Sequence, residues 1–286
     1  MAVYKRGYRR YQGGLTGKPT RFLVLPRFTW QRLLQQRLMI FLLLASIFWP
    51  LVCIGLVYLA NHLELAGGIG KNVAELLKID AGFFLTFMNV QSVFAVILAA
   101  FAGPSLIAPD LSNGALPLYF SRPLSRSEYV LARLLVLVGL LSFITWLPGL
   151  ILFSLQAGMA GRSWFADHWN LSLGVFIGLL LWILLTSLIA LAGSAYVRRR
   201  MIAGASVLGI FFVLSGASKL TNTILQTQWA SVFNPEWAMT QIWRHLLGTD
   251  LEPGPGIWTC WLAVLAMTAL LLFVLERKLR PVEVVS

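Results

Sequence analysis

Charge is the scarcest commodity in this sequence of 286 residues: 12% are Asp, Glu, Lys or Arg, where soluble domains carry about a quarter. With 58% hydrophobic residues beside so little charge, the composition is that of a membrane protein and excludes an ordinary soluble domain. Cysteine is nearly absent. Cys53 and Cys260 both fall inside apolar runs with no metal-ligand spacing around either, so they read as small buried apolar side chains and leave the redox compartment open. The three histidines, His62, His168 and His245, have no Cys, Ser or carboxylate at a catalytic spacing; His62 with Glu64 and His168 with Asp167 read as solvated surface. A phosphate-binding loop is missing as well. The nearest approach, "GGLTGKPT" from Gly13 to Thr20, lacks a Gly five residues before Gly17 and has Pro19 where Ser or Thr would hold magnesium. No secretory signal is expected either, because 37 mostly polar residues precede the first apolar run.

What is present is hydrocarbon collected into six blocks: Leu38 to Ala60, Phe83 to Ala102, Val130 to Gln156, Leu171 to Val197, Met201 to Ala217 and Ile257 to Leu275. Each is about as long as the ~20 residues a helix needs to cross a bilayer. A spanning segment must satisfy its own backbone hydrogen bonds, so the blocks predict six transmembrane helices and an all-α integral membrane protein. Arg133 stands at the mouth of the third block and is counted with the connection before it, which leaves the spans proper without an ionisable group.

The net charge of +12 is distributed by position. Residues 1–37, the 103–133 connection, Arg198 to Arg200 and Arg277 to Arg280 hold 18 of the 23 basic residues, while the other three connections hold seven of the eleven acids. This alternation is the positive-inside pattern with an even number of spans, so both termini are expected in the cytoplasm of a multi-pass cell-membrane protein, a bacterial cytoplasmic membrane being the natural setting. Nucleic acid is not expected as a partner, since phosphate binding calls for a basic patch on one face rather than alternation.

Proton- or ion-coupled carriers place Asp, Glu or His within the membrane, and nothing of the kind is read here. A polytopic chain with neither a coupling ion site nor a nucleotide site is either a passive scaffold or driven by a partner. The partner's dock is sought in the connection between the second and third blocks. There Ser125 and Glu128 have the spacing of a capping box, with Leu124 and Tyr129 at the staple positions, so the third span is expected to start rigidly near Arg126. Pro123 stops what precedes it. Asp110 is expected to cap a short helix running from Leu111 toward Phe120, limited by Pro117. Together Leu111, Leu118, Tyr119, Arg122 and Arg126 make an apolar knob with a basic rim; the plain alternative is a loop folding onto the spans and leaving its arginines to lipid phosphates.

The run from Asp110 through Gly114-Ala115-Leu116 and Ser121-Arg122-Pro123-Leu124-Ser125-Arg126 to Glu128-Tyr129 and Arg133 resembles the permease subunits of ABC-2-type transporters. In that family this segment is a coupling helix seated on a cytoplasmic ATPase. The likeness extends to six spans with both ends inside, a basic amphipathic segment before the first and a long outward connection before the last. It departs at Ala108-Pro109-Asp110, where consecutive charged residues are usual, and at Pro117, where an acid is common. The resemblance implies a type-2 exporter-like bundle: a basic tail over 1–25, an interfacial helix over 26–37, a permease domain over 38–280, a coupling segment over 105–128 and an extracytoplasmic segment over 218–256. It further implies two ATPase subunits that bring Mg-ATP, a second permease chain, identical or similar, and contacts to the ATPase through Asp110, Leu111, Leu118, Tyr119, Arg122 and Arg126. No catalytic residue, metal or cofactor is expected in this chain.

Smaller expectations accompany these. "PRFTWQRLLQQRL", Pro26 to Leu38, has the pattern of a helix lying in the interface, with a frayed extension of the first span as the plainer reading. Asn234-Pro235-Glu236 predicts a helix start after Lys219, its aromatic residues Trp237 and Trp243 lying in the outer interface with Trp229 and Phe233. Pro148-Gly149 predicts a kink in the third span, and Gly174 with Gly178 forms a GxxxG, a weak signal for a dimer face. Asn89, Gln91, Ser92, Ser142, Thr145, Thr186 and Ser187 are the polar residues available to a pathway, and packing accounts for most of them equally well. Two rival functions remain: a lipid-modifying enzyme using His168 with Asp167 or His245 with Glu252, and a scaffold that does not transport.

Overall fold

The computed structural model describes residues 24–62, 78–115, 125–197 and 199–278. Among them there is no strand, and six helical segments are long and apolar enough to cross a bilayer: Arg37–Asn61, Ala81–Ser112, Ser127–Ala160, Arg162–Tyr196, Met201–Leu225 and Ile257–Lys278. Five of the expected blocks lie within them, and the fourth overruns its helix by one residue, Val197. This fits a multi-pass membrane protein. The helices are α1 (Val24–Leu34), α2 (Arg37–Asn61), α3 (Ala81–Ala102), α4 (Pro104–Ser112), α5 (Arg126–Ile144), α6 (Trp146–Ala160), α7 (Arg162–Tyr196), α8 (Arg200–Leu225), α9 (Pro235–Leu247) and α10 (Ile257–Lys278). The second and third spans are therefore each built of two helices, α3 with α4 and α5 with α6.

The bundle is organised around α7. It packs against α3, α4, α5, α6, α8, α9 and α10. Its apolar window is 72% buried, against 11% for α10 at the periphery. Close approach to α7 is bought with glycine. A Cβ on Gly103 would lie 2.6 Å from that of Ala190, and one on Gly149 would lie 2.7 Å from a Val175 methyl. The Gly174/Gly178 pair of α7 is used inside the chain: α9 lies on it, the Trp243 indole donates to the Gly178 carbonyl at 3.0 Å, and a Cβ at Gly178 would come within 2.7 Å of that indole. The GxxxG is thus an intramolecular seat for α9, which the expectation of a dimer face did not anticipate. Trp243, Ile242 and Leu247 are buried accordingly against the bundle, whereas Trp229 and Phe233 are exposed. Asn234 does cap α9, its side chain accepting from the Glu236 N–H at 3.1 Å.

Three of the prolines set in the spans, Pro50, Pro104 and Pro148, open backbone gaps that the fold closes from another helix. A proline has no N–H, and its ring displaces the carbonyl four residues earlier, leaving that oxygen without its helical donor. Pro50 frees Ser46, and Pro148 frees Ile144. One side chain serves both: the Gln91 amide nitrogen of α3 donates to the Ser46 carbonyl at 3.0 Å and to the Ile144 carbonyl at 2.5 Å. Gln91 is fully buried. The kink expected at Pro148-Gly149 consequently appears earlier, at Thr145, the residue between α5 and α6 with φ −110° and ψ −92°, because the clash acts one turn before the proline. Pro104 frees the Ala100 carbonyl in the same way. Gly204 of α8 lies so close to it that a Cβ would sit 2.7 Å from the oxygen, the geometry of a Cα–H···O contact.

Gln91→Leu should therefore cost about 2 kcal/mol or more, since two carbonyls in hydrocarbon lose their donor. In a Pro50→Ala/Pro148→Ala background, each alanine N–H can supply its own carbonyl, so the same Gln91→Leu change should cost less than half as much; thermal midpoints of the four purified proteins read the difference.

Candidate functional site

The expected dock begins where the second span ends and the third begins. Ser125 and Glu128 form the capping box: the Ser125 hydroxyl accepts from the Glu128 N–H at 3.2 Å, and Glu128 accepts from the Ser125 N–H at 2.6 Å. This satisfies two of the orphan donors at the start of α5 and gives the helix a defined origin at Arg126.

Asp110 is placed differently from the expectation. It lies inside α4, which ends at Ser112, and caps no helix beginning at Leu111. The reason is Pro104: a proline at the first position with its fixed φ starts α4 seven residues earlier than the sequence reading, so Asp110 falls in the last two turns. There its carboxylate accepts from the Tyr129 hydroxyl at 2.7 Å and the Arg133 guanidinium at 2.5 Å, both from α5. The pair is largely withdrawn from solvent, Arg133 at 7% and Asp110 at 16% side-chain exposure. Arg133 also lies over the Tyr129 ring, 5.2 Å from its centroid, and donates to the Thr29 hydroxyl of α1 at 3.0 Å. Trp30 adds a second tie from α1, its indole donating to the Val136 carbonyl at 3.0 Å, with Gly139 leaving space for the ring. On the other side, the Ser194 hydroxyl of α7 accepts from the Ala108 N–H of α4 at 3.0 Å.

The outcome is a joint in which α1, α4 and α5 meet on one buried ion pair, with α7 behind it. Arg133 belongs to this joint, two turns inside α5, and so the third span does contain an ionisable residue, contrary to the reading that assigned it to the connection. α1 is a helix in its own right and not a frayed extension of the first span: Gln36, in extended conformation with φ −81° and ψ 120°, separates it from α2.

Of the six residues read as partner contacts, Asp110 is consumed by the joint and Leu111 packs partly against the core. Leu118, Tyr119 and Arg122 lie outside the described residues, as does the side chain of Arg126, the first residue of α5. Tyr129, Arg133 and Thr29 were not read as one site. Their signal was available in part, since a lone arginine seven residues into an apolar helix calls for a carboxylate nearby, and Asp110 is the one acid preceding it in that connection apart from the capping Glu128. Thr29 carried no such mark.

The residues of the enzyme reading do not assemble. Glu252 is paired with Arg244 at 2.7 Å, not with His245, which is exposed. The His168 ring stacks on Trp164 with Nδ1 at 3.0 Å from the Trp164 carbonyl. Among the described residues no three His, Cys, Asp or Glu side chains converge as a metal site.

Neutralising one partner of a buried ion pair leaves the other charge uncompensated, at a cost of about 3 kcal/mol or more, while an apolar replacement of both is often tolerated. Asp110→Asn should lower the thermal midpoint sharply, and Asp110→Leu/Arg133→Met should be more stable than Asp110→Leu alone; a double-mutant cycle in detergent checks this.

No protein-family model matches this chain, and no curated protein matches it.

Proposed function

We propose that the chain is the membrane-spanning subunit of an ABC transporter, an exporter in which a separate cytoplasmic ATPase supplies the energy and two permease chains form the pathway. The observation that carries this reading is the joint itself. The 110–126 connection leaves α4 and enters α5 beside the same buried ion pair, so its two roots are locked to one another. A push on such a segment cannot be absorbed by its roots sliding apart. It moves α4 and α5 together, drags α1 through Thr29 and Trp30, and reaches α7 through Ser194. A segment rooted this way suits the transmission of force from a partner better than it suits a passive loop.

In this scheme the basic end of the bundle faces the cytoplasm and both termini lie there. Mg-ATP belongs to the ATPase. Closure of two ATPase subunits on nucleotide shifts the population of the permease pair between arrangements, with the differential contact made at 110–126. Arg122 and Arg126, with Leu118 and Tyr119, are the residues assigned to the partner by the resemblance to ABC-2 permeases. The break at Thr145, with Pro50 and Pro104 in the other two, gives the first three spans places to bend. The polar side chains inside them, Gln91 foremost, are engaged in packing, which favours an apolar or amphipathic cargo over a bare ion.

Purification of the tagged chain should bring with it a soluble ATPase, and Arg122→Glu/Arg126→Glu should abolish that association while leaving the thermal midpoint near the wild-type value. Undiminished co-purification in the double variant overturns the dock. Labelling of a cysteine at position 121 from outside intact cells overturns the topology and the function with it.

A further inference from the structure

Beside the joint, α1 and α4 stand apart and leave a cleft. Two adjoining cavities of about 190 and 100 Å³ share Thr29, Arg32, Ser105 and Pro109 as walls. The larger has the Asp110–Arg133 pair as its floor and Phe28 at its rim. The space is several waters in size.

The charges decide what suits it. Asp110, the carboxylate in the wall, is neutralised by Arg133 and accepts a hydrogen bond from the Tyr129 hydroxyl. Arg32 is exposed at the rim and forms no ion pair with any acid among the described residues, so the cleft carries one positive charge in excess. The hydroxyls are engaged: Ser105 donates to the Ala102 carbonyl and Thr29 to the Leu25 carbonyl. What is left to bind a guest is the planar fork of the Arg32 guanidinium, whose donors match the oxygens of a phosphate.

Depth points the same way. Arg37 opens α2 just beyond the cleft, and at the same end of the bundle Lys278 lies over the Tyr196 ring. These charges mark the level at which the apolar spans give way to polar surroundings. α1 lies at that level with Phe28 66% exposed and Leu34 43% exposed, an apolar surface suited to the acyl boundary beside a basic residue suited to the headgroup layer.

We propose that the cleft between α1 and α4 binds a phosphate group, with Arg32 as its principal donor and the Asp110–Arg133 pair as its floor. The phosphate is that of an anionic lipid headgroup or a free phosphate; the recognising chemistry is the same. Occupancy would brace α1 against α4 and so make the joint sensitive to what fills the cleft.

The test uses the full chain in detergent micelles, with the thermal midpoint followed as phosphatidylglycerol, diacylglycerol or inorganic phosphate is titrated. Arg27→Gln is the control, because Arg27 lines a separate pocket with Trp30 and Leu135. Phosphatidylglycerol should stabilise the wild type and Arg27→Gln alike, within about twofold in half-saturating mole fraction, and Arg32→Gln should need at least about tenfold more, the worth of one charge-assisted pair. Arg32→Lys, which keeps the charge without the fork, should fall between them. An Arg32-dependent response to inorganic phosphate alone identifies free phosphate as the guest and supports the site equally. Equal responses in wild type and Arg32→Gln, or a response to diacylglycerol matching that to phosphatidylglycerol, overturn it. No ATPase enters this measurement, so its failure is separate from any failure of the transporter reading.

Discussion

The structure rests on one constraint: a backbone carbonyl placed in hydrocarbon needs a donor, because no water will supply one. A continuous helix meets the requirement automatically, and a proline breaks it at a known place, four residues upstream. Pro50 and Pro148 break it in two different spans, at Ser46 and Ile144, and the two exposed oxygens converge on the amide of Gln91 in a third. The consequence is architectural. The first, second and third spans are held at one point in mid-bundle by bonds that none of them could make alone, and their bends are fixed relative to one another.

Glycine solves the complementary problem of distance. With little polar attraction available between helices in lipid, association depends on close packing. Gly103, Gly149, Gly174 and Gly178 stand where α7 or its neighbours approach within the radius of a methyl group. α9 shows how far this goes. It is short, it begins at a proline capped by Asn234, and it is seated on α7 by an indole-to-carbonyl bond that only a glycine on the other side permits. A segment outside the apolar blocks thereby becomes part of the core.

The spans were legible because hydropathy over twenty residues reports the solvent directly, and the capping box and the Asn234 cap were legible because both depend on neighbours in sequence. What could not be read was pairing at a distance. Asp110 looked like a helix start because an acid before an apolar stretch usually is one; its true partners, Tyr129 and Arg133, are 19 and 23 residues away on another helix. The GxxxG of α7 was visible, yet a motif for close approach does not name what approaches. Gln91 appeared only as a polar residue in a span, since nothing local connects it with prolines 41 and 57 positions distant in the chain.

A buried arginine in a chain with so few charges needs an account of its cost. Removing an ion pair from water is repaid only when hydrogen bonds satisfy the charges fully, and an apolar pair would often be more stable. Arg133 is held by Asp110 and Thr29, and Asp110 by Tyr129 as well. The three helices concerned approach from different parts of the chain, and the full set of bonds forms only when all three are in register. An apolar contact there would hold the helices together while letting them slide, because dispersion has little direction; a guanidinium fork against a carboxylate fixes angle as well as distance. The joint therefore trades some stability for a defined relation among α1, α4 and α5, and that relation is what a segment rooted between α4 and α5 would need if it is to move them as one body.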